Sequence, residues 1–188
     1  MARTADPSQD QTLAKAVEYH RTGQFERALK NYRRVLKQNP TQPDALVLGG
    51  QAAFQAGHAQ DGIRWLKKAT QAHPNDPRAP YNLGVIYQQL GETANALEAF
   101  RKSAQAGPGF APAQYNLAIT LFELGQGEEA IAHFDKATAA DPKHFEAFAG
   151  KGFVLRGEGR LDEAIEAYRQ AVAVAPGVGA GLRRLKSG

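Results

Sequence analysis

Between residues 77 and 108 the apolar positions fall into two short helical stripes. Leu83, Gly84 and Tyr87 share one face at helical spacing. After a turn at Gly91, Ala96, Leu97, Phe100 and Ala104 share another. Pro108 ends the second stripe, because proline removes a helix hydrogen bond and clashes with the preceding turn. The pattern predicts a helical hairpin with an apolar face too wide to bury alone, so it needs neighbours of its own kind.

The chain supplies them at a fixed interval. Pro40, Pro74, Pro108, Pro142 and Pro176 stand 34 residues apart, and Gly23, Gly57, Gly91, Gly125 and Gly159 keep the same step. Small residues recur early in each second helix as Ala28, Gly62, Ala96, Ala130 and Ala164. Bulky residues follow four places later as Tyr32, Leu66, Phe100, Phe134 and Tyr168. Chance does not hold four columns in phase over five units.

These columns resemble the tetratricopeptide repeats, a family with this period. With each proline as position 32, five tandem repeats span 9–42, 43–76, 77–110, 111–144 and 145–178. The resemblance implies an all-α fold, a right-handed α-solenoid of helix-turn-helix repeats. Position 8 is Ala16, Gly50, Gly84, Ala118 and Gly152. With position 20 it lets the two helix backbones approach closely. Position 4, often tryptophan in the family, is Thr12, Leu46, Pro80, Gln114 and Phe148, and position 7 is Lys15 in the first repeat. These departures weaken single packing contacts.

Taken in order, residues 1–8 are expected to be a disordered, polar lead. Repeat one is predicted to pair a helix from about Asp10 to Thr22 with one from about Phe25 to Gln38. Thr12 and Lys15 there suit a first helix with no preceding neighbour. Repeat two carries three glycines inside predicted helices, Gly49, Gly50 and Gly62. Each costs roughly 0.5–1 kcal/mol against alanine, so this repeat is expected to be the locally weakest. Asp76-Pro77 reads as an N-cap followed by proline at the first helical position. Residues 179–188 read either as a short capping helix, with Leu182 and Leu185 facing back, or as the cut edge of a longer array. A bare solenoid end exposes apolar surface, so self-association through the C-terminal end is a further expectation.

Composition narrows the function. The absence of cysteine removes disulfides and thiolate metal sites. The polar start lacks the apolar core of a secretion signal, and no apolar run approaches the ~20 residues of a membrane helix. No transmembrane segment and a cytoplasmic location are expected. The net charge of +4 is unevenly placed: twelve basic and eight acidic side chains up to Ala94, eleven of each beyond. Lys30, Arg33, Arg34, Lys37, Arg64, Lys67 and Lys68 form a basic stripe on two second helices. It reads as a solvated face, with docking to an acidic protein, anionic membrane or nucleic acid as the alternative.

Candidate chemistry is sparse. None of the five histidines pairs with another at the i, i+4 spacing of a helical metal site, and all five read as surface or loop residues. Glu128-Glu129 and Asp162-Glu163 suit helix N-termini through the dipole. No phosphate-cradling glycine motif is present. No catalytic residue, metal site or cofactor is expected, and no enzyme on this chain alone.

In the family the first helices line a concave groove. Carried onto this chain, the resemblance implies a peptide-binding groove of Phe54, Arg78, Tyr81, Asn82, Val85, Tyr115, Asn116, Ile119, Phe122 and Phe153. Leu13, Val17, His20, Val47, Leu48, Gln51, Gln88 and Arg156 extend the same rows. Rings at Phe54, Tyr81, Tyr115 and Phe122 can anchor a ligand; Val85 and Ile119 equally suit packing between first helices. Asn82 and Asn116 each sit inside Tyr-Asn-Leu and resemble two rungs of the asparagine ladder of the O-linked N-acetylglucosamine transferases. Their amides can pair with a peptide backbone, or instead cap and bridge neighbouring helices. Leu13 and Val17 replace the lysine and asparagine of the family's carboxylate clamp, which is therefore not expected. The expected function is a non-catalytic scaffold or adaptor binding an extended peptide or a partner protein in the groove. The alternative is the substrate-recognition region of a larger enzyme, such as a glycosyltransferase or sulfotransferase. Nucleic acid is not expected, because the related RNA-binding repeats have a period of about 35 and a basic groove.

Overall fold

The computed structural model describes residues 7–175. Among them are ten α-helices and no strand: α1 (Pro7–Arg21), α2 (Phe25–Gln38), α3 (Pro43–Gln55), α4 (Ala59–Ala72), α5 (Arg78–Gln89), α6 (Thr93–Ala106), α7 (Ala111–Glu123), α8 (Gly127–Ala140), α9 (Phe145–Gly157) and α10 (Leu161–Val174). The all-α expectation holds. The chain divides into two compact units, residues 1–99 and 100–188. In the first, α1 packs on α2, α2 on α3, α3 on α4 and α4 on α5; in the second, α7 packs on α8, α8 on α9 and α9 on α10.

Every hairpin turns on its glycine. Gly23, Gly57, Gly91, Gly125 and Gly159 all have positive φ, from 72° to 86°, which a residue with a Cβ adopts only at a cost. In the first turn the Gly23 N–H bonds the His20 carbonyl at 3.0 Å and the Gln24 N–H reaches Tyr19 at 2.8 Å. This is the Schellman closure of a helix C-terminus. The Gln24 carbonyl then accepts from Ala28 at 2.9 Å and so begins α2. His58, Glu92, Gln126 and Arg160 make the same two bonds in the other four turns.

Behind the turns the small-residue columns bring the helices together. Ala16, Ala28, Ala118 and Ala130 are wholly buried. Repeat two is the extreme case. A Cβ built at Gly62 would stand 2.7 Å from the Gly50 carbonyl oxygen, and one at Gly49 would stand 2.5 Å from the Trp65 ring. These glycines are filled by neighbours, so α3 and α4 meet backbone to backbone. The bulky column forms the floor: Tyr32, Leu66, Phe100 and Phe134 have no exposed surface. Each such side chain contributes about 1.5–3 kcal/mol by leaving water.

Some boundaries and contacts differ from expectation. Helix α1 begins at Pro7, three residues before Asp10 and inside the expected lead. Pro77 is the N-cap of α5 and not its first residue, while the Asp76 carboxylate accepts the Arg78 N–H at 3.0 Å. Repeat five presents Ile165 at 49 % exposure, where Leu29, Ile63 and Ile131 in the same column are buried. Leu182 and Leu185, expected to face this end, lie outside the described residues.

Candidate functional site

The first-helix faces carry one lined depression in each unit. In the first unit, His20, Phe25, Gln51, Phe54, Gln55, Asn82, Val85, Ile86 and Gln89 surround a cavity of about 450 Å³. Asn82 is 7 % exposed, and its Oδ1 accepts from Gln51 Nε2 at 2.7 Å, tying α5 to α3. The His20 Nε2 bonds the Gln55 side-chain Oε1 at 2.7 Å. The lining is two phenylalanine rings, two aliphatic side chains, His20 and a set of amides, with no carboxylate, lysine or arginine.

In the second unit the lining is aromatic. Tyr115, Ile119, Phe122, Phe134, Phe145, Glu146, Ala149, Gly150, Phe153 and Val154 surround about 380 Å³. The Phe122 and Phe153 rings meet edge to face, with centroids 5.5 Å apart, and the Arg156 guanidinium lies 5.2 Å above the Phe153 ring. Tyr115 stacks on His144 at 4.7 Å. Burial, then the nearby Glu146 charge, raises the Tyr115 phenol above its ordinary value. Glu146 Oε2 lies 3.1 Å from His144 Nδ1, but out of line for a hydrogen bond.

The expected groove residues therefore separate. Phe54, Asn82 and Val85 share the first cavity, and Tyr115, Ile119, Phe122 and Phe153 the second. Tyr81 is half-buried on α5. Asn116 Nδ2 donates to the Pro112 carbonyl at 3.0 Å, one turn back on its own helix. Arg78 is committed to the protein. It bonds Asp76 at 2.7 Å and Asp44 at 2.8 Å, and these carboxylates raise its pKa while the Asp76 carboxyl is held low.

Residues outside the expected set complete both sites. Gln51 lies on the expected lining rows, but its bond to Asn82 is a contact between repeats that no periodic column reveals. Gly150 stands at position 6, where repeats three and four hold Asn82 and Asn116. Gln114, in place of the family tryptophan, is 2 % exposed. Its Nε2 donates to the Pro108 carbonyl at 3.1 Å and its Oε1 accepts from His133 Nδ1 at 2.7 Å. His133 is therefore half-buried and not a surface histidine, because the polar residue at position 4 gives it a partner inside. In the basic stripe, Arg33 and Arg64 both reach Asp61, at 3.4 and 2.7 Å, and the other five side chains are exposed.

No group of three or more histidine, aspartate or glutamate side chains suited to a metal ion occurs among the described residues. No described helix is long and apolar enough to cross a membrane.

The sequence profile of the tetratricopeptide repeat matches residues 13–77, 47–109 and 115–178. Its starts are separated by whole multiples of the 34-residue step. The chain belongs to the tetratricopeptide repeat family. That family consists of scaffold and interaction domains, and the chain shares its all-α solenoid class. Among solved structures, the tetratricopeptide fold of this chain is similar to MamA, with a TM-score of 0.76 and 24 % identity over 88 % of this chain and 96 % of that one. It is also similar to YrrB, described as a tetratricopeptide protein with an unusual peptide-binding site, with a TM-score of 0.71 and 21 % identity over 93 % and 90 %. No curated protein matches the chain.

Proposed function

We propose that this tetratricopeptide protein is a non-catalytic adaptor that binds an extended segment of a partner protein along its first-helix faces. The observation that carries the reading is the pair of lined depressions on those faces, one amide-rich and one aromatic. Each offers a kind of contact that an extended peptide uses: donors and acceptors for its backbone in the first unit, and apolar surface for its side chains in the second. The Gln51–Asn82 pair meets the first need. Whichever way the two amides are turned, one acceptor and further donors remain for a ligand. Phe54, Tyr115 and Phe122 meet the second. The peptide-binding site described for YrrB supports this use of the fold.

The test is site-directed photo-crosslinking with peptides selected from a phage-displayed random library on the full chain. Selected peptides are expected to label a photo-reactive residue at Val85 or Ile119, and not one at Lys68 on a second helix. Labelling at Lys68 alone would overturn the reading.

A further inference from the structure

We infer that the cavity of the second unit takes a bulky apolar side chain, aromatic or leucine-like, followed or preceded in the bound segment by a basic residue. The inference rests on the peptide-binding reading above and names the anchor that segment must carry. At the back of the cavity α8 and α9 come unusually close. Position 6 holds an asparagine in the two preceding repeats and Gly150 here. A Cβ built at Gly150 would stand 2.7 Å from two atoms of the Phe134 ring. The Phe134 ring, which has no exposed surface, therefore packs directly on the α9 backbone at Gly150 and backs the cavity from behind.

The walls suit the same occupant. Phe122 and Phe153 are 36 % and 48 % exposed, and their edge-to-face contact holds two rings upright beside the opening. Tyr115, Ile119, Ala149 and Val154 complete a lining that offers a ligand apolar surface and few hydrogen-bonding groups. A volume of about 380 Å³ lies at the lower end of ligand pockets, the size for a single large side chain. An amide or carboxylate placed there would lose water and gain no partner.

Charge fixes the flank. Glu146 is the single ionised group in the lining, and its carboxylate is 51 % exposed. A lysine or arginine next to the anchor residue complements it, and an acidic neighbour is repelled. The Arg156 cation is already placed over the Phe153 ring.

The experiment selects a phage-displayed random-peptide library on the full chain and measures an enriched peptide by fluorescence anisotropy. Wild type is compared with Phe153→Ser, Phe122→Ser and Glu146→Gln. Both rings are partly exposed, so these variants keep the fold, which a melting curve checks. The expected result is enrichment of Phe, Trp, Leu or Met beside Lys or Arg. Affinity should fall about tenfold or more in either serine variant, as for an interface anchor. Glu146→Gln should weaken binding several-fold at low salt and less at high salt. Peptides that bind without an apolar anchor, or equally well to both serine variants, would overturn the inference and leave peptide binding standing. Failure to enrich any peptide would overturn both.

Discussion

Gly62 faces Gly50 across the α3–α4 crossing so closely that a Cβ on Gly62 would lie 2.7 Å from the Gly50 carbonyl oxygen. Two effects compete in Gly62→Ala. Alanine favours the helix by roughly 0.5–1 kcal/mol, but the contact is with backbone, which cannot rotate aside. Overpacking typically costs about 1–3 kcal/mol, so the variant should be less stable. Gly157, on the last turn of α9, provides the control: nothing lies within 4 Å of its built Cβ, and its φ is not positive. Gly157→Ala should gain about 0.4–1 kcal/mol. Denaturant melts of both separate packing from propensity, and a stabilised Gly62→Ala would contradict the close crossing.

Tyr32 is wholly buried and its hydroxyl has no hydrogen-bond partner. Burial and then the Asp44 charge push its pKa up to about 12. The same column carries Phe100 and Phe134, so the position has no need of an oxygen. Removing a buried unsatisfied hydroxyl relieves a desolvation cost of about 1–3 kcal/mol, offset in part by the small space left. Tyr32→Phe should match or exceed wild type in thermal stability. A loss above about 1 kcal/mol would mean the hydroxyl has a partner.

His133 links pH to stability. Burial first, and then the Lys136 charge, lower its pKa; the Arg101 charge adds to this and Glu129 opposes it. A depressed folded value means that the unfolded chain binds the proton more readily. The stabilisation is therefore complete above the ordinary histidine value of about 6.5 and declines as pH falls below it. His133→Gln keeps a donor for the Gln114 carbonyl and removes the titration. Its melting temperature should fall less than that of wild type between pH 7 and 5. Parallel curves would dismiss His133 as the group responsible.

Asn82→Ala leaves Gln51 without its acceptor at a site only 7 % exposed. Loss of one such hydrogen bond costs roughly 0.5–1.5 kcal/mol. Asn82→Ala should therefore unfold at lower denaturant than wild type. If the variant unfolds with wild type, the bridge between α3 and α5 has no structural weight.

The architecture was legible because its signals are local and repeated. Helix α2 runs from Phe25 to Gln38 as the pattern predicts, since a positive-φ glycine, a small crossing residue and a terminating proline act within one hairpin. Contacts between hairpins were not legible in this way. Arg78 looked like a groove cation, but Asp44, one repeat earlier, holds it. Even within one hairpin, His133 reads as exposed from the sequence, yet Gln114 at the departing position 4 of the same repeat is its partner. The aromatic cavity is backed by Phe134 packed on Gly150, a pairing across α9 and α8 that no single column contains.

The turn residue after each glycine has a wider consequence. Its N–H closes one helix and its carbonyl opens the next, so the main chain alone fixes the corner. The side chain is left without an architectural duty, and five turns hold Gln24, His58, Glu92, Gln126 and Arg160. Two of these reach the preceding repeat at the same offset: His58 meets Glu26 at 2.8 Å, and Arg160 meets Glu128 at 3.2 Å. The corner thus behaves as an interchangeable socket, in which surface charge can be rewritten, repeat by repeat, while the shape of the hairpin stays the same.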